Sequence, residues 1–196
     1  MPRQRHAVSQ SLMPAVLALL ASASALANQV ACPDLQEVMV TAVADFAPLR
    51  GKLNKSVIPG ASVKKPVDAP ALVDFEEHIY ETSRPLHGAS HCEIRASHMK
   101  DDAVSLRQAS YRCTWSPSAG FAELKRSLAA CIVNPAAREE DPDSLHLYVE
   151  WVVSSEGHNT MLVSAKTIET LATQAMMLNV TRTVCLNRSP GGCDEQ

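Results

Sequence analysis

The chain is 196 residues long, 46% hydrophobic and 20% charged, which is within the range of one globular domain with a core of its own. A formal net charge of −3 excludes a basic nucleic-acid-binding surface as its organising feature. Six cysteines without any C-x-x-C pair exclude the common redox and zinc signatures.

The opening segment MPRQRHAVSQSLMPAVLALLASASALA joins Arg3 and Arg5 to an apolar run from Leu12 to Leu20 and a small-x-small site at Ala25-Leu26-Ala27. This is the pattern of a secretory signal peptide over 1–27, cleaved before Asn28. Gln29 and Val30 are poor neighbours for a lipid-modified Cys32. Loss of the leader leaves 16 Lys and Arg against 21 Asp and Glu, a net charge of −5. No later apolar run approaches the ~18 residues a transmembrane helix needs, so residues 28–196 are expected as one domain, periplasmic or secreted, with no membrane span.

From Pro33, the positions Leu35, Val38, Met39, Ala42, Phe46 and Leu49 recur at helical spacing, and Pro48 and Gly51 stop the helix. Lys52 to Pro70 carries four lysines and repeated Pro and Gly, and reads as a basic connection. The segment ALVDFEEHIYETS alternates imperfectly and reads as a charged edge strand. Two strands follow. Cys92, Ile94 and Ala96 share one face of the first, and Tyr111, Cys113 and Trp115 share one face of the second. Folding about Asp102 and Ala103 places Cys92 opposite Cys113. Phe121, Leu124, Leu128 and Ile132 then mark a second helix that covers the hairpin's inner face.

Asn134 to Asp143 reads as an acidic loop. Beyond it LHLYVEWVV alternates, with Leu145, Leu147, Val149, Trp151 and Val153 inward and His146, Tyr148 and Glu150 outward. The turn SSEGHN allows a return strand through Met161, Leu162 and Val163. Ile168, Leu171, Ala172 and Ala175 suggest a third helix over Thr167 to Met177, and a short strand is expected near Val180 to Val184. The expected fold is therefore α+β: a disulfide-braced single antiparallel sheet of about five strands with helices packed mainly on one face, in the order α-β-β-β-α-β-β-α. No internal repeat is legible, although the two hairpins are loosely analogous.

An even cysteine count in an exported chain favours disulfides. Hairpin register pairs Cys92 with Cys113, a short turn-rich loop pairs Cys185 with Cys193, and elimination leaves Cys32 with Cys131. The nearest rival joins Cys113 to Cys131.

Signals for chemistry are weak in context. His87, His91 and His98 cluster near Cys92 as a metal site would require, but Pro85, Gly88 and Ser90 make the segment a loop, so no metal or other cofactor is expected. Ser62–Lys65 and Ser97–Lys100 match S-x-x-K without the helix that spacing needs. Glu76, Glu77 and Glu81 offer carboxylates, more simply explained as a solvated face. The expectation is a non-catalytic exported protein that binds or inhibits a protein partner in the cell envelope. A small hydrolase or a metal-binding protein is the alternative. Candidate partner contacts are the outward His146, Tyr148 and Glu150 and the basic pair Lys64 and Lys65.

Overall fold

The computed structural model describes residues 30–57, 74–100, 104–116, 120–141, 147–169 and 174–187, together with Cys193. The leader over 1–27 and its cleavage site, and with them His146, Ser62, Lys64 and Lys65, lie outside the described residues. In chain order the elements are α1 (Cys32–Ala42), a 3-10 turn (Ala47–Leu49), β1 (Arg50–Val57), β2 (Asp74–Thr82), β3 (His91–Lys100), β4 (Val104–Trp115), α2 (Phe121–Cys131), β5 (Ala137–Asp141), β6 (Tyr148–Glu156), β7 (Asn159–Glu169) and β8 (Gln174–Asn187).

All eight strands join one antiparallel sheet in the order β1-β2-β3-β4-β8-β7-β6-β5. The expected sheet of about five strands under several helices does not form. Eight strands dominate, and α1 and α2 are the two α-helices among the described residues. Each helix precedes four strands, so the chain divides into two αββββ halves that meet where β4 pairs with β8, with β1 and β5 at the outer edges.

Strand alternation sorts side chains onto two faces. One carries Cys92, Ile94, Tyr111, Cys113, Trp115, Leu178, Val180, Val163, Val149 and Trp151, and it forms a single core with Leu35, Val38 and Phe46 from the α1 segment and Leu124 and Leu128 of α2. Burying each leucine-sized side chain there contributes about 1.5–3 kcal/mol. The polar tips of the large aromatics are satisfied by the β2–β3 connection: Tyr111 donates to the Arg84 carbonyl at 2.7 Å and Trp115 to the His87 carbonyl at 3.2 Å. No described element covers the other face, which holds Glu77, Glu93, Arg95, Arg112, Asn179, Glu150 and Glu139.

Four local expectations are corrected. The first helix ends at Ala42. Asp45 and Phe46 then adopt φ of 52° and 58°, and this reversal still brings Phe46 and Leu49 into the core. Residues 52–57, expected as part of a basic connection, belong to edge strand β1; β2, expected at an edge, lies between β1 and β3. The acidic loop contains β5, exposed at every position because it is the opposite edge.

The expected third helix is replaced by the end of β7 and the start of β8, where Ile168 pairs with Ala175. The β7–β8 ladder overrides a weak 3.6-residue spacing there. The second helix also sits differently. It packs toward β7 and reaches β5 through a Lys125–Glu140 ion pair, and so covers the second half of the sheet, not the β3–β4 hairpin.

Candidate functional site

The structure joins Cys92 to Cys113 across the β3–β4 ladder, Cys185 to Cys193 over an eight-residue separation, and Cys32 to Cys131 over 99 residues. The last bridge ties the start of α1 to the end of α2, one helix from each half. Three disulfides fit an oxidising environment. Among the described residues no helix is long and apolar enough to cross a membrane.

The histidine cluster does not converge. His87 is exposed in the β2–β3 connection, while His91 and His98 lie seven residues apart on β3, on opposite faces and about 23 Å apart by strand rise. No group of His, Cys, Asp or Glu among the described residues is arranged to hold a metal ion. Ser97 and Lys100 share a strand, where a spacing of three puts them on opposite faces. Glu76 and Glu77 likewise project from opposite faces of β2, and Glu81 lies four residues along the strand from Glu77.

Tyr148 and Glu150 do come together. Both project from β6 onto the uncovered face, and the Tyr148 hydroxyl donates to Glu150 Oε2 at 2.5 Å. Burial, that bond, and the charges of Glu150 and Glu139 push the phenol above its ordinary range. Glu139, whose strand was expected as loop, stands directly opposite Glu150 in the β5–β6 ladder. Two like charges in that position cost about 0.2–1 kcal/mol relative to a neutral pair.

At the other end of the same face, Arg95 bonds Glu93 at 2.6 Å, and Arg112, Glu77 and His91 stand 3.5–3.8 Å from their carboxylate or guanidinium partners. Burial raises the Glu93 carboxyl, but Arg95, His91 and Arg112 outweigh it and hold the group below its ordinary value. This network is internally balanced.

A second constellation lies on the helix-bearing face, beyond the end of α1. Ser56 of β1 stands opposite His78 of β2, with Oγ 3.0 Å from Nδ1. His78 Nε2 is 2.6 Å from Glu76 Oε1, two residues along the same strand. Glu76 and His78 line a cavity of about 150 Å³ shared with His98, Arg107 and Asp45. Asp45 is held by Arg182 at 3.0 Å and His98 by Ser105 at 2.8 Å. Arg107 has no ion-pair partner among the described residues.

Alternation alone marked Tyr148 and Glu150. The Glu139–Glu150 and Ser56–His78 juxtapositions needed β5 and β1, which carry no hydrophobic period. In comparison with known protein families, curated proteins and solved structures, the chain matches none.

Proposed function

We propose that the protein is exported to the cell envelope and works there by binding a basic segment of another protein on the uncovered sheet face where β5 meets β6. The observation that carries this reading is the direct opposition of Glu139 and Glu150, with Tyr148 bonded to Glu150. A fold gains nothing from two facing carboxylates. A ligand's lysine or arginine between them removes their repulsion, and the tyrosine ring adds contact area at small entropic cost. The leader, the disulfides and the two-helix backing support a rigid exported platform, and such preorganisation lowers the cost of association.

The test is capture from envelope extract by the mature oxidised protein. A stoichiometric partner lost on Glu150→Lys and weakened by Tyr148→Ala supports the reading. A partner unaffected by both, or lost only on charge reversal of Lys64 and Lys65, overturns it.

A further inference from the structure

We infer that Ser56 is a nucleophile prepared for acyl transfer from small anionic esters, at a site separate from the binding face. An ionised carboxylate only accepts hydrogen bonds, so the 2.6 Å contact to Glu76 assigns the His78 proton to Nε2. The lone pair of Nδ1 is then directed at Ser56, and the 3.0 Å contact is a hydroxyl donating to a base. Nucleophile, base and orienting carboxylate are thus joined in sequence, with the two ring nitrogens in the roles opposite to those of the chymotrypsin arrangement.

Cross-strand register by itself accounts for a Ser–His contact. Alternation likewise puts Glu76 beside His78, but the 2.6 Å contact that fixes the tautomer, and Arg107 lining the adjoining cavity with no ion-pair partner among the described residues, go beyond register. The Arg107 guanidinium lining that cavity favours a substrate that brings a negative charge. The cavity, about 150 Å³ and open to solvent on one side, has room for a small acyl group.

In the reaction Ser56 Oγ attacks the ester carbonyl and its proton passes to His78 Nδ1. The imidazolium returns that proton to the departing alkoxide, releasing the alcohol. Water, deprotonated by the same nitrogen, then attacks the acyl-serine, giving the carboxylic acid and restoring the Ser56 hydroxyl. The array occupies β1–β2 on the helix-bearing face, whereas Glu139 and Glu150 lie at the β5–β6 end of the other face, so the two sites stand or fall separately.

The experiment is labelling of the mature oxidised protein with a fluorophosphonate probe, read by intact mass and peptide mapping. It is paired with hydrolysis of 4-nitrophenyl acetate and of the 4-nitrophenyl monoester of succinic acid. A single adduct on Ser56 is expected, absent in Ser56→Ala and formed about 100-fold more slowly in His78→Gln, the scale of general-base assistance. Arg107→Gln should slow the succinyl ester more than the acetyl ester. Ser56 is exposed and His78 partly so, and unchanged thermal midpoints and near-ultraviolet dichroism show that the variants remain folded. Labelling of Ser56 no faster than in unfolded protein, or undiminished in folded His78→Gln, overturns the inference.

Discussion

Replacing Cys32 and Cys131 together by alanine removes the covalent link between the two halves of the chain. In the loop-entropy description the loss grows with the logarithm of the enclosed loop. Separations of 99, 21 and 8 residues give about 4.7, 3.3 and 2.5 kcal/mol for Cys32–Cys131, Cys92–Cys113 and Cys185–Cys193 respectively. Cys92, Cys113 and Cys131 are buried in the core, so truncating any of them adds a packing cost. The long link is therefore compared with the local one at Cys185–Cys193 after that packing cost, read by comparing each variant with the wild type under reducing conditions, is subtracted. At about 2–4 °C per kcal/mol for a domain of this size, the long link is worth about 9–19 °C in Tm and the local one about 5–10 °C. Near-ultraviolet circular dichroism on heating, with guanidinium titration as a second measure, reads both double variants. A Cys32/Cys131 variant that loses no more stability than the Cys185/Cys193 variant would refute the idea that this bridge acts by restraining the two halves.

Two further effects follow from the sheet faces. Glu139→Gln, which relieves the carboxylate opposite Glu150, should raise unfolding free energy by about 0.2–1 kcal/mol while weakening partner capture. Guanidinium titration checks the first effect, and a loss of stability would count against the repulsion. Burial pushes the Tyr111 phenol up to about 12, above its unfolded value of about 10. The stability this contributes is fully present below about pH 10 and is lost as pH rises toward 12, because the unfolded chain releases that proton first. Tyr111→Phe should flatten this alkaline decline, measured as guanidinium midpoints across pH 9–12; an unaltered decline would assign it elsewhere.

The parts of the fold legible in the sequence were those where one face is buried and the other wet. The Cys92–Cys113 register, the first part of the α1 stripe, the Phe121 to Ile132 stripe and the Val149–Trp151 alternation all satisfy that condition and form the expected elements, although α1 ends at Ala42 and α2 covers the second half of the sheet. The edges do not satisfy it. Residues 51–56 and the whole of AREED are exposed, so β1 and β5 have no hydrophobic period to read, although their charges suit unpaired strand edges.

The central strand fails for the opposite reason. Met176, Met177 and Leu178 are 0%, 7% and 0% exposed in succession, which erases alternation and leaves a run resembling a helix end. With no hydrophobic period to mark β1 and β5, their cross-strand neighbours are not legible either. Ser56 therefore could not be placed beside His78, nor Glu139 beside Glu150. The αββββ duplication was hidden in the same way, since one half presented three legible strands and the other two.

Site-specific photo-crosslinking in the producing cell tests the binding account most directly. A photoreactive phenylalanine analogue replaces Tyr148 on the uncovered face or, in a parallel sample, Val40, which is 72% exposed on the outer side of α1. The account predicts one discrete adduct from position 148, abolished by Glu150→Lys in the same chain, and none from position 40. Adducts from position 40 alone, or an adduct at 148 indifferent to Glu150→Lys, would contradict it.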